Sequence, residues 1–208
     1  MQIENTSVMN LEGAIRGARN PLESWEKSDS WKDQSIGTFF FGQKDIDLMQ
    51  RLIKAGTSDS KFMRQIMVCM DVTAPMYWWS EFDTYKVATV ANSTSKMHKL
   101  ASTPITIDCF EMDDFSDNSD IISLWIEDVI PSLEELRQKY NDTKDTRYWK
   151  ELIRLLPESW LQKRTITLDY ATLRNQYFQR RNHKLTEWHT YCKWIESLPY
   201  AKDLICLE

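Results

Sequence analysis

Glycine is scarce in this chain, five in 208 residues, and neither GxGxxG nor GxxxxGK[ST] occurs. The loops that most often cradle dinucleotides and triphosphates are therefore missing, because they need glycines to bring backbone N–H groups close to phosphate. Histidine is also rare. His98, His183 and His189 form neither an HExxH motif nor an i, i+4 pair, so no metal is expected. His183 and Glu187 are four apart and read as a hydrogen-bonded surface pair on one helix face. Cys69, Cys109, Cys192 and Cys206 are widely spaced with no CxxC, the pattern of reduced thiols in a cytosolic protein. No GxSxG marks a serine nucleophile. Basic surplus is absent: 31 acids against 26 bases give −5, which argues against a partner of extended nucleic acid but permits a small basic pocket. No apolar run approaches the roughly 20 residues that span a bilayer. The start, Met1–Ser7, has neither a basic region nor an apolar stretch typical of secretion. These absences lead to the expectation of a cytoplasmic protein without a membrane partner.

What remains is a chain long enough for a real core and free of repeats or low-complexity linkers, so one domain over 1–208 is expected. Nine Trp, eight Tyr and eight Phe exceed what a minimal core needs. Most should be core, and some are candidates for a ligand cavity or a subunit interface. Asp45 is expected to begin an amphipathic helix with Ile46, Met49, Leu52 and Ile53 on one face, ended at Gly56. Alternation of Ile66, Val68, Met70 and Val72 predicts a strand over 62–72. Pro75 then suits a first helical turn, with a helix from Met76 to about Tyr85. The acidic tract Glu111–Asp120 reads as a solvated connection into a helix. Helices are expected over 121–130 and 132–140, divided by Pro131, and over 146–156, stopped by Pro157. A short strand at 164–168 precedes a helix capped by Asp169 over 170–181, and 183–197 is read as helical before Pro199. Few strands against five or six helices predict an α+β fold.

Chemistry concentrates between Ala74 and Leu100. Asn92-Ser-Thr-Ser95 is poor helix material and reads as a loop. Its hydroxyl and amide donors lie close in sequence to Lys86, Lys96 and His98, the mixture that phosphate oxygens accept. On composition alone, a polar surface loop capping the next element explains the same residues. The expectation is that this segment faces a cavity that accepts anions. Two further cationic stretches, Arg16-Gly-Ala-Arg19-Asn-Pro21 and Gln179-Arg-Arg181-Asn-His183-Lys184, are candidates of the same kind or simply solvated faces.

The order of a proline-opened helix, a polar motif and then N-x-x-S resembles the flavin-dependent thymidylate synthase family, ThyX. Its signature is an Arg-His-Arg triplet, seven residues and Ser, with Asn-Glu in the gap. Counting back from Ser95 places Tyr85-Lys86-Val87 at the triplet, with Asn92 on the family Asn and Ser93 in place of Glu. Counting forward from Pro75 makes Lys86 the last triplet position. Gly56…Phe62-Met63-Arg64 is similar in placement to the family's Gly-His…Phe-Glu-His but lacks both histidines. Leu156-Pro157 and the helices holding Arg181, His183 and Glu187 are similar to its Leu-Pro and final nucleotide-binding helices. A branch of ThyX-like proteins common in phages and their bacterial hosts resembles the chain more closely. The shared motifs are Arg16–Pro21, Lys61–Gln65, Tyr77–Lys86 and Asn92–His98, and the likeness covers most of 13–200.

The resemblance implies a ThyX-like fold, a small antiparallel sheet with flanking helices and a helix-rich C-terminal half. It further implies a homotetramer whose pockets are shared between subunits. In the family the triplet holds flavin and dUMP, and Tyr, Lys and Val cannot supply the same bidentate cationic grip. Three functions are weighed. The first is binding of a nucleotide or similar phosphorylated ligand without flavin chemistry, with sequestration of a signalling nucleotide as one use. Arg19, Arg64, Tyr85, Lys86, Asn92, Ser93, Ser95, Lys96, His98 and Arg181 are its candidate contacts, and Tyr77, Trp78 or Trp79 would stack on a base. The second is a divergent enzyme converting dUMP to dTMP with FAD. The third is a structural protein whose polar motif holds an oligomer interface.

Overall fold

The computed structural model describes residues 1–112 and 119–208. Strand β1 (Gln2–Met9) opens the chain and helix α1 (Leu11–Arg19) follows. A small hairpin, β2 (Trp31–Lys32) and β3 (Phe39–Phe40), precedes α2 (Gln43–Ala55). After a 3-10 turn at Ser60–Gln65 come β4 (Met67–Pro75), α3 (Met76–Phe82), β5 (Thr89–Ser93) and α4 (Lys96–Lys99). The C-terminal half holds α5 (Ser119–Leu124), a π-helical turn at Trp125–Val129, α6 (Ile130–Thr143) and α7 (Thr146–Leu155). It closes with β6 (Leu161–Asp169), α8 (Tyr170–Arg180), α9 (Thr186–Ser197) and α10 (Ala201–Leu204). The four-stranded sheet has the order β1-β4-β6-β5, with β2 and β3 paired separately. This is the α+β class read from the sequence. Among the described residues no helix is long and apolar enough to cross a membrane.

Contacts divide the chain into two compact units: 1–2, 72–84 and 92–164 in the first, 3–71, 85–91 and 165–208 in the second. In the first, Leu100, Ile105, Phe110, Leu133 and Leu152 form a buried cluster on which Trp125 and Trp160 pack. Phe110 meets those two rings at 4.8 and 5.5 Å. Arg137 ties the 101–105 segment to α6. Its Nη1 donates to Ala101 O at 3.0 Å and its Nε to Glu134 Oε2 at 2.7 Å, while Glu134 also accepts from Ile105 N at 3.0 Å.

In the second unit a buried ion pair organises the start of the chain. Arg19 on α1 donates through Nε to Asp45 Oδ1 at 2.7 Å and also through Nη2. The other Asp45 oxygen accepts from Ser28 and Ser30, and the guanidinium reaches Ser24 O and Lys27 O. Asp29 accepts from the backbone N–H groups of Lys44 and Asp45, so the first turn of α2 is capped from a neighbouring loop. A Cβ at Gly42 would come within 2.4 Å of Asp29, which explains glycine there.

Several expectations change. The β4 pattern is right, with Ile66, Val68, Met70 and Val72 buried, but residues 60–65 wind as 3-10 and the strand runs on to Pro75. Asp45 is the third residue of its helix, occupied by Arg19 and not by capping. Helix α3 stops at Phe82, leaving Tyr85 beyond it. Asn92 and Ser93 belong to β5, because pairing with β6 satisfies the backbone that the sequence alone assigned to a loop. Pro131 does not divide a helix. It sits in the first turn of α6, and the preceding π-helical turn absorbs its missing N–H and ring bulk. Residues 183–185 lie outside α9, which starts at Thr186. Gly56 and Asp169 do terminate and cap as expected, Asp169 accepting from Thr172 N at 2.7 Å. Of the acidic tract, 113–118 lies outside the described residues.

Two outcomes follow. The Arg137 guanidinium first, with the Ile105 N–H, holds the Glu134 carboxyl down from 4.5 to about 2. With the folded-state value lowered, this contribution is present above the ordinary carboxylate range and is lost as pH falls toward about 2. Glu134→Gln is expected to remove about 2 kcal/mol at neutral pH and to flatten the acid side of the stability curve in urea titrations. Asp45→Asn, which leaves the Arg19 guanidinium buried with the carboxylate charge gone, is expected to cost about 3–5 kcal/mol by the same measurement.

Candidate functional site

The aromatic helix α3 is a core element. Trp78 and Trp79 are both 0% exposed, and Phe82 closes the cluster with ring centroids at 5.0 and 5.5 Å. Pro75 precedes the helix in extended conformation, and the N–H groups of Met76 and Tyr77 donate to Trp160 O and Glu158 O. The expected stacking of Trp78 or Trp79 on a base is corrected: both rings are sealed inside, because α3 turns its tryptophans into the core. Tyr77 is half-buried.

Gln162 of β6 connects this helix to the polar segment. Its backbone oxygen accepts from Trp79 Nε1 at 3.0 Å and its Nε2 donates to Thr94 O at 2.9 Å. Its Oε1 accepts from Arg164 Nε at 3.0 Å. The Arg164 guanidinium lies 4.1 Å from the Trp79 ring and donates to Asp83 Oδ1 at 2.7 Å. Thr94 N donates to Lys163 O at 2.9 Å. Thr94 is therefore held through both its backbone N–H and its carbonyl.

Beyond that fixed point, Ser95 caps α4 by accepting from His98 N at 3.3 Å, the role that composition alone allowed. The side chains of Asn92, Ser93 and His98 are exposed and that of Lys96 is half-buried. None of these four has a hydrogen-bond or ion-pair partner among the described residues, and none lines either of the two hollows described here. Large apolar side chains are interspersed along the same stretch of chain: Val87, Val90 and Met97 are 86%, 66% and 62% exposed.

The second unit holds the remaining candidates. Tyr85 donates its hydroxyl to Gln179 Oε1 and accepts from Arg180 Nε, both at 2.8 Å. The Arg180 guanidinium lies 4.8 Å from the buried Trp188 ring and 5.5 Å from Tyr85. Lys86 and Arg64 are exposed without partners among the described residues. Arg181 packs on Phe178 at 4.9 Å and donates to Glu208 Oε1 at 2.9 Å. It borders a hollow of about 600 Å³ with His183, His189, Cys192, Lys193 and Glu196. There, His183 Nδ1 accepts from Leu185 N at 3.2 Å. Burial pushes the Cys192 thiol up to about 12, which leaves it unreactive. Glu187 is buried, so the carboxylate of the expected His183–Glu187 pair does not lie at the surface. Arg19 is 6% exposed and saturated by Asp45, Ser24 and Lys27.

Gln162 and Arg164 carry no sequence signal of their own, and Gln179 and Arg180 stand out only as part of the cationic stretch 179–184. Their roles depend on partners up to 95 positions away, and no local spacing announces such pairs.

No family model and no curated protein matches the chain. Its fold is nevertheless that of flavin-dependent thymidylate synthase ThyX. Two structures of the Helicobacter pylori enzyme complexed with FAD and dUMP, one at 2.31 Å resolution, superpose with TM-scores of 0.73 and 0.74. Each match covers 100% of both chains at 18% identity.

Replacing Gln162 by leucine keeps the volume and removes both side-chain bonds. It is expected to cost about 2–3 kcal/mol. Hydrogen exchange of the Thr94–Lys99 amides should rise while α6 and α7 stay protected.

Proposed function

We propose that this chain is a ThyX-like oligomeric protein that binds a nucleotide or related phosphorylated ligand without intact flavin chemistry. The observation that carries the reading is the state of residues 92–98. Amide, hydroxyl, ammonium and imidazole groups stand there unpartnered, held in place by Gln162, in a chain with the fold of a protein known with FAD and dUMP bound. Unpaired donors are matched by phosphate oxygens, and the exposed Val90 and Met97 suit cover by another subunit. In this reading Asn92, Ser93, Lys96 and His98 contact the ligand, with Ser95 holding the α4 turn. Lys86 and Arg64 of the second unit are proposed contacts of the same class, and so are Tyr85 and Arg181, which would exchange their bonds to Gln179, Arg180 and Glu208. A homotetramer in the cytoplasm, and sequestration of a nucleotide there, fit this assignment.

Three observations weigh against a flavin. The tryptophans nearest the signature segment are buried, and the Tyr85 hydroxyl is occupied by Gln179 and Arg180. No arginine stands at Tyr85, Lys86 or Val87 to grip a pyrophosphate. A second reading, a divergent thymidylate synthase converting dUMP to dTMP, draws on the full-length likeness of fold.

Native mass spectrometry is expected to give a tetramer from colourless protein. A mononucleotide panel that includes dUMP should contain a member that stabilises it by about 2.7 kcal/mol at 100 times its Kd. Lys96→Ala/His98→Ala should abolish that gain. Absence of any shift would overturn nucleotide binding and leave the interface protein, whereas bound flavin in the purified protein would favour the enzyme.

A further inference from the structure

Within the second unit alone lies an open cleft of about 1020 Å³, at the upper end of the roughly 300–1,000 Å³ typical of small-ligand sites. None of the contacts assigned above lines it. Its walls include the rings of Phe39, Phe40, Trp194 and Tyr200. Three of these are held in position. Trp194 Nε1 donates to Thr6 Oγ1 at 3.0 Å, the Tyr200 hydroxyl accepts from Phe41 N at 2.9 Å, and Phe40 stacks on Trp31 with centroids 5.3 Å apart.

Tyr200 also has φ 58°, a left-handed backbone that a bulky residue rarely adopts. It is kept there by the bond to Phe41 and by Leu204 N, which donates to Tyr200 O at 2.9 Å. Strain held in this way fixes where the ring sits.

Arg16 and Lys32 line the cleft, both exposed and both without a hydrogen-bond or ion-pair partner among the described residues. Glu12 is the one acid among the lining residues, so the cleft carries +2 − 1 = +1 in a chain of net charge −5. Unpaired cations beside fixed aromatic faces match a flat π-system that bears an anion. We propose that the cleft between α1, the β2–β3 hairpin and the end of α9 is a binding site for a small flat aromatic anion, carboxylate or phosphate. The rings hold its plane, and Arg16 and Lys32 take its charge.

The test uses 2-naphthoate, its neutral counterpart 2-naphthalenemethanol, and phenyl phosphate, with the full chain labelled with 5-fluorotryptophan. Trp194 is assigned in the fluorine spectrum by Trp194→Phe. Expected are one 2-naphthoate per chain by calorimetry, a shift of the Trp194 resonance, and at least about tenfold weaker binding of the alcohol. Phenyl phosphate competing for the same site would show that either anion is accepted, and failure to compete would restrict the site to carboxylates. Arg16→Gln/Lys32→Gln, two exposed and unpartnered positions, should fold as wild type and bind acid and alcohol equally. Equal affinities in wild type, a Trp194 signal that stays put, or no binding at millimolar probe would each overturn the proposal. So would a Trp194 shift on dilution without probe, which would mean a second copy fills the cleft. None of these outcomes depends on residues 92–98, so nucleotide binding stands or falls separately.

Discussion

The candidate segment depends on one buried amide. Gln162 accepts from the Trp79 indole through its backbone, donates to Thr94 O and receives the Arg164 guanidinium. Each bond is worth about 1 kcal/mol net, but leaving a buried partner unmade costs more. The consequence is positional. Helix α3 and the strand end at Thr94 are fixed to the same residue of β6, so Asn92–His98 inherit a rigid base although their side chains face outward. A flexible polar loop would lose ordering entropy on every binding event, and this one has already been ordered by folding.

Arginine has three different uses here, and charge alone does not separate them. Arg19 is buried and saturated by Asp45 and two carbonyls, a structural cation whose removal would orphan a carboxylate. Arg164 and Arg180 lie against aromatic rings while their edges serve Asp83 and Tyr85. Arg16 and Arg64 remain unpartnered among the described residues. Only the last kind has donors to offer a ligand without first breaking a bond of the fold.

Much of the fold was legible because local rules decide it. The period-two burial of Ile66 to Val72, Gly56 ending α2 and Asp169 opening α8 each follow from a few neighbouring residues. Misreadings occurred where a distant partner decided. Asn92 and Ser93 are poor helix formers, and composition cannot say that β6 will turn them into an edge strand. Pro131 was expected to break a helix, and a π-helical turn accommodates it instead. The amphipathic stretch of α1 went unread, and so did β1. At the candidate site, residue types drew attention to the polar segment, whose Asn92, Ser93 and His98 side chains are exposed and line neither hollow. The burial of Trp78 and Trp79, the Tyr85–Arg180 bond and the saturation of Arg19 are long-range facts that no spacing encodes.

Strand β5 ends the sheet, and its outer backbone edge has no strand neighbour among the described residues. Val90, an exposed β-branched side chain, stands on it, and no proline or lysine within Thr89–Ser93 blunts it. Such a border is a template for any extended segment that arrives in register, native or not. An edge of this kind makes self-pairing a matter of concentration, so the same chain is more exposed to it when many copies are made together.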